Sequence, residues 1–211
     1  MNLSKSALTI VIIVSAIAGI LVLKALVSPR GHLVAKPFAP VLSMHARGNP
    51  QVGIKVYEFT DFQCPACSRA VETINEMFKK YPDKIYLEHK NFPLPMHPFA
   101  RRASIYAECA ASQGKFWPFH DVLFRSQQSW AKMTSVDTYF SQLAVSLGLD
   151  GVKLAACVNT PDANEKVSKD VEEGKKLGVN STPTFFVNGK MIVGSQNFST
   201  EIKSILEPHG K

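Results

Sequence analysis

Strand and helix patterns are distributed along this chain in a way that leaves few folds open. Ile54 to Phe59 reads as a strand, and Ser68 to Tyr81 repeats apolar residues at helical spacing through Val71, Ile74 and Phe78. Lys84 to His89 reads as a second strand, ended by Pro93 and Pro95. From about residue 97 to residue 177 no strand pattern occurs. Strand character returns at Thr184 to Val187 and Met191 to Val193, flanking Asn188-Gly189, the favoured pair for a tight primed turn. Thr200 to Leu206 closes the chain as a helix. One sheet must therefore draw strands from both sides of a long helical block, which implies an α/β domain with an all-helical insertion.

Within the block, Phe99, Ala103, Tyr106 and Ala110 share one helix face, and Phe116 to Phe124 forms a second helix. Val136 to Leu147 is a third, with Ser135 as the expected cap and Gly148 as the stop. Val152 to Cys157 is a short fourth, and Val167, Val171, Gly174 and Leu177 line a fifth that Gly178 closes. An edge strand is expected over 41–45.

Ahead of this domain, Ala7 to Leu23 carries no charge, and Ala25-Leu26-Val27 extends the run past Lys24. As a helix, residues 7–27 would span about 31 Å, the thickness of a bilayer's hydrocarbon, with Lys24 reaching toward the headgroups. The alternative is a cleaved signal peptide with Lys5 as its basic region. Its small-residue site, Ala16-Ile17-Ala18, would fall in mid-run and leave an exposed apolar tail, so an uncleaved single-pass transmembrane anchor is the expectation. Residues 28–43, with Pro29, Gly31, Pro37 and Pro40, read as a tether. Basic residues flank the run on both sides, so charge does not orient it. A short N-terminus before a long body favours an exported catalytic domain.

Composition narrows the function. Apolar residues are 45% and charged residues 19%, which excludes a disordered chain. The net charge of +7 comes from scattered Lys and Arg with no Arg-rich arm, so nucleic acid is not an expected partner. Four cysteines are too few for a disulfide-built miniprotein.

Cys64-Pro65-Ala66-Cys67 lies where a strand meets a helix. Zinc would require two further ligands at recognisable spacing, and Cys109 and Cys157 stand alone, so no metal is expected. An inert structural pair is a second alternative. The redox reading has a mechanism. At the N-terminal edge of the 68–81 helix, Cys64 would meet unpaired N–H groups and the positive end of the dipole, both of which favour a thiolate. Cys64 is thus the expected exposed nucleophile and Cys67, one turn inside, the resolving thiol. Pro65 fixes the backbone between them.

Three separated segments then fall into one order: Glu58-Phe59-Thr60-Asp61-Phe62-Gln63-Cys64-Pro65-Ala66-Cys67, Gly114-Lys115-Phe116-Trp117 to His120-Asp121, and Thr182-Pro183-Thr184-Phe185-Phe186-Val187-Asn188-Gly189. Over roughly residues 45–207 the chain resembles the DsbA-like thiol-disulfide oxidoreductases, which have a thioredoxin fold with an inserted helical domain. The resemblance divides it into a first thioredoxin half (44–95), a helical insertion (96–170) and a second half (171–208). It implies a cis Pro183 packed on the cysteine pair, and a Thr182 backbone offered to an extended substrate. It also implies a role for Glu58 in proton handling, against the alternative of a solvated strand-edge carboxylate. Phe62 and Phe92 are expected to serve substrate contact, and His89 to be a satisfied histidine. The departure is Ala66: strongly oxidising members carry His there, and Ala66 can neither donate to a thiolate nor attract it by charge.

Cys109 and Cys157 each sit among small neighbours, Ala110-Ala111 and Ala155-Ala156, where two helices can approach. In an oxidising compartment a structural disulfide is the expectation, and two free buried cysteines the alternative. The expected protein is a monomeric oxidase without a cofactor. It would be tethered to the cell membrane by its N-terminal helix, with the catalytic domain on the periplasmic or extracellular face. It would act on unfolded or reduced exported proteins and be reoxidised by a membrane quinone-linked partner. A reductase or isomerase, or a non-catalytic binding protein on the same scaffold, are the alternatives.

Overall fold

In the computed structural model, which describes residues 43–208, five strands form one sheet in the order β1-β3-β2-β4-β5. The strands are β1 (Ala46–Gly48), β2 (Ile54–Thr60), β3 (Ile85–Asn91), β4 (Thr184–Val187) and β5 (Lys190–Val193). Helix α1 (Pro65–Lys80) makes the crossover between the parallel pair β2 and β3, and β4 and β5 add antiparallel on the other side. Asn188 and Gly189 turn the hairpin with positive φ at both positions, and the Asn188 side chain accepts from the Lys55 N–H at 2.8 Å. The helical block holds α2 (Ala100–Ala111), α3 (Phe116–Arg125), α4 (Gln127–Trp130), α5 (Asp137–Ser146), α6 (Gly151–Val158) and α7 (Pro161–Lys176), and α8 (Ser195–Leu206) ends the fold. This is the thioredoxin arrangement with a helical insertion. Residues 7–27, expected as an anchor, and residues 28–42 of the tether lie outside the described residues. Among the described residues no helix is long and apolar enough to cross a membrane.

β2 is central, and its residues are buried on both faces except for Lys55, which is partly exposed. One face, through Ile54, Val56, Leu87 and Phe185, packs on Ala70, Ile74 and Met77 of α1 and on Phe198 and Ile202 of α8. On the other face Tyr57, Phe59, Phe92 and Phe186 form a second cluster. Helix α7 comes so close to it that a Cβ at Gly174 would stand 2.7 Å from Phe92. A third cluster fills the helical block around Phe119, Leu123, Trp130 and Phe140 and extends to Phe62, Cys64 and Cys67. Buried polar groups join the layers. His45 pairs with Glu108 at 2.8 Å, and the Asn91 side chain donates to Glu108 and, at 3.1 Å, to Asp170.

Several boundaries differ from the sequence expectation. The edge strand lies at 46–48 and not at 41–45, because a turn closed by Ala46 N–H on Ser43 O precedes it. Helix α1 begins at Pro65 and α7 at Pro161, since a proline lacks the N–H that a first helical position leaves unpaired. The expected division at 170/171 therefore falls inside the continuous helix α7. Ser135 is not the cap of α5; that position is Val136, with no side-chain capping bond. Helix α8 starts at Ser195, directly after Gly194 with φ +83°, and not at Thr200. Helix α4 was not expected at all. Cys109 of α2 and Cys157 of α6 form a disulfide, with Cα atoms 5.8 Å apart.

Candidate active site

Cys64 is the residue on which α1 begins. Its extended backbone (φ −76°, ψ 122°) lets its carbonyl accept from Cys67 N–H and Ser68 N–H, both at 3.1 Å, so the chain enters the helix with the Cys64 sulfur at the open N-terminus. Pro65 is exposed at the first helical position, and Ala66, half-buried, packs against the helical cluster. Cys64 and Cys67 are both free thiols. Their environments differ. Cys67 is 0% exposed, and burial pushes its thiol well up, so it stays protonated. Cys64, at 7%, is drawn down to about 5. The chief cause is the hydrogen bond from Cys67; burial opposes it, and the Thr182 side chain and the N–H groups of Cys67 and Ala66 assist. Cys64 is thus buried by residue surface, against the expectation of an exposed nucleophile. It is still the more open of the two, and the one held as a thiolate near neutral pH.

The loop before β4 closes the site from the other side. The Thr182–Pro183 peptide is cis, and the Cys64 sulfur lies 3.6 Å from the Thr182 carbonyl oxygen. Sequence positions 64 and 182 meet because β4 pairs with β2, placing Thr184 beside Phe59 at the end that runs into the cysteine turn.

Glu58 is 2% exposed on β2, in register with His89 of β3 and Phe185 of β4. It is no solvated edge carboxylate. Burial raises it to about 7, with Arg47 and Thr60 drawing it partly back. Arg47 is itself wedged between the rings of Phe78 and Trp117, its guanidinium carbon 4.7 Å from each centroid. His89 is buried and held neutral, its pKa pushed well down by burial and by His120. One ring nitrogen meets Asn91 at 3.3 Å and the other, Nδ1, has no hydrogen-bond partner, so it is only half satisfied.

Phe62 and Phe92 do not line a substrate surface as expected. Phe62 is fully buried, its ring against His89 at 5.3 Å and Phe124 at 5.0 Å, where it fills the junction between sheet and insertion. Phe92 is buried beneath α7 beside Phe59.

Three polar residues to which the sequence reading assigns no role hold the turn in place. Asp61 accepts from Gln63 N–H (2.7 Å), Leu94 N–H (2.8 Å) and the His97 ring (2.7 Å). The Gln63 side chain accepts from Phe99 N–H at 2.7 Å. Gln127 of α4 donates to the carbonyls of Phe62 and Cys64. Asp61 and Gln63 adjoin the cysteine motif and could have been suspected as turn-binding side chains. Nothing in the sequence marks Gln127. Among the described residues no cluster of His, Cys, Asp and Glu is arranged to hold a metal.

Residues 42–207 match the family model described as Thioredoxin. The chain belongs to the thioredoxin family. Among solved structures it is similar to a thioredoxin-like oxidoreductase from Silicibacter pomeroyi DSS-3 (25% identity, TM-score 0.63, covering 86% of this chain and 99% of that one). It also shares the fold of alpha-DsbA1 from Wolbachia pipientis (22% identity, TM-score 0.67, 82% and 98% covered) and of BdbD from Bacillus subtilis (22%, 0.67, 77% and 92%). A curated relative, the Na(+)/H(+) antiporter NhaA 1 of Mycolicibacterium gilvum, is 31% identical over 180 residues, which is 84% of this chain and 28% of the antiporter. The chain thus spans little more than a quarter of the length of such relatives.

Proposed function

We propose that this chain is a thiol-disulfide oxidoreductase that works as a dithiol oxidase on reduced exported proteins. The observation that carries the reading is the asymmetry of the pair: Cys64 is a stabilised thiolate beside a cis-proline loop, and Cys67 is a buried thiol. In the oxidised state a substrate thiolate attacks the Cys64 sulfur. The Cys64–Cys67 bond breaks, its electron pair goes to Cys67, and Cys67 takes up a proton, for which Glu58 with its near-neutral pKa is the candidate donor. A second substrate thiolate attacks the substrate sulfur of the mixed disulfide and expels Cys64, which leaves readily because its thiolate is stable. Two substrate thiols become one disulfide and the pair is left reduced, so an oxidant must remove the two electrons, and a membrane quinone-linked partner is the candidate. A membrane tether over residues 7–27 and a periplasmic or extracellular catalytic domain fit that requirement. The Thr182 backbone is the candidate docking edge for an extended substrate segment.

Ala66 favours a second reading within the same chemistry. Without a donor at that position the disulfide is less oxidising, which suits a reductase or isomerase. The test of roles is a trapping experiment in cells. Cys67→Ser leaves Cys64 able to attack but unable to resolve, so mixed disulfides with exported proteins are expected on non-reducing gels. Trapping by Cys64→Ser and not by Cys67→Ser would overturn the assignment.

A further inference from the structure

We infer that Gln127, at the start of α4 in the helical insertion, is a positioning residue for the Cys64 thiolate; the inference rests on the oxidoreductase reading above. Gln127 is 5% exposed, and its side-chain nitrogen lies 2.8 Å from the Phe62 carbonyl and 3.0 Å from the Cys64 carbonyl. Both partners are pure acceptors, so the carboxamide has its NH2 turned toward the cysteine turn. The second bond exceeds what backbone satisfaction requires. A carbonyl oxygen has two lone pairs, and that of Cys64 already accepts from Cys67 N–H and Ser68 N–H. A further donor on it does not rescue an orphan; it fixes the tilt of the Cys64–Pro65 peptide.

That tilt matters because the same peptide aims the first N–H groups of α1, and those of Ala66 and Cys67 help hold Cys64 as a thiolate. Gln127 also withdraws electron density from a carbonyl beside the sulfur, which lowers the negative potential that the thiolate meets. The surrounding contacts support a placing role. Gln63, between the two carbonyls, is clamped to Phe99 N–H at 2.7 Å and Ala131 O at 3.4 Å, so Gln127 and Gln63 together tie the redox turn to the insertion on both sides of α4. Through these bonds the insertion bears on the chemistry of Cys64 as well as flanking the site.

The test uses the full chain and two readouts, the pH midpoint of Cys64 alkylation and the equilibrium with reduced and oxidised glutathione. Gln127→Met keeps the length and removes the donors. It is expected to move the alkylation midpoint upward by about one pH unit, and to shift the glutathione equilibrium about tenfold toward the disulfide, which equals about 30 mV. Gln127→Glu is expected to shift both further in the same direction while its carboxylate is ionised, with partial recovery at acid pH, where the protonated group can donate once. Tyr106→Phe, which removes hydroxyl contacts to Asp137 and Ser141 elsewhere in the insertion, serves as the control for general loosening. A wild-type midpoint and equilibrium in Gln127→Met would overturn the inference, as would equal shifts in Tyr106→Phe. If Gln127→Met does not fold, Gln127→Asn, whose shorter amide cannot reach both carbonyls, takes its place with the same expectation. Failure of the unmodified protein to exchange with glutathione would instead overturn the oxidoreductase reading.

Discussion

Replacing Glu58 by Gln should stabilise this protein in base and leave it unchanged in acid. Burial raises the native Glu58 carboxyl to about 7, against 4.5 for the ordinary group. Between those values the native state keeps a proton that the unfolded chain has released, so stability falls as pH rises through the window. Below about 4.5 both states are protonated and Glu58 contributes nothing; above about 7 the penalty is complete. At about 1.4 kcal/mol per pH unit, the window from 4.5 to about 7 corresponds to a penalty of about 3 kcal/mol. Gln has the shape of the protonated acid and no charge to desolvate. Urea unfolding of reduced wild type and Glu58→Gln should therefore coincide near pH 4 and differ by about 3 kcal/mol near pH 8, with the variant the more stable. The same substitution should slow formation of the mixed disulfide from the oxidised pair, because the group that protonates the departing Cys67 is gone. An equal stability gain at both pH values would mean that ionisation is not the cause. No gain near pH 8 would mean that Glu58 is solvated after all, and its role in proton transfer would fall with it.

Three further outcomes are expected. Cys109→Ala with Cys157→Ala opens a disulfide of sequence separation 48 and should cost up to about 4 kcal/mol in urea unfolding, while Cys64–Cys67 exchange with glutathione persists; loss of exchange in a folded variant would contradict the separation of roles. Ala66→His should lower the Cys64 midpoint, and each pH unit of that drop should raise the potential by about 30 mV; an unchanged midpoint and potential would mean that position 66 does not set the redox poise. In the Glu58→Gln background, stability should fall as pH drops below about 6.5, because burial holds His89 and His120 neutral while the unfolded chain takes up their protons. His89→Phe should flatten that acid limb, and an unaltered slope would show that the buried imidazole is not responsible.

The redox motif and the sheet were legible in the sequence because each has a local signature. A short β-rich apolar run marked β2, Asn188-Gly189 marked the hairpin, and Cys64 to Cys67 at a strand-to-helix junction carried its own chemistry. The start of α1 was placed at Ser68 because apolar spacing begins only inside a helix, whereas Pro65 is fit for a first helical position. Helix α4 spans four residues, too short for any period to show. Phe62 looked like a surface aromatic because nothing local tells a buried wedge from a cleft wall; its contacts with His89 and Phe124 come from distant segments. The pairing of Gln127 with Cys64 crosses sixty-three positions and leaves no local trace.

Equilibration of the Cys64–Cys67 pair with glutathione, on the full chain, tests the central claim most directly. The account expects a disulfide that forms and breaks reversibly, with a potential closer to the oxidising end of the known range, roughly −120 mV, than to its reducing end. A potential near roughly −270 mV would make the protein a reductant, and a pair that does not exchange at all would contradict the account.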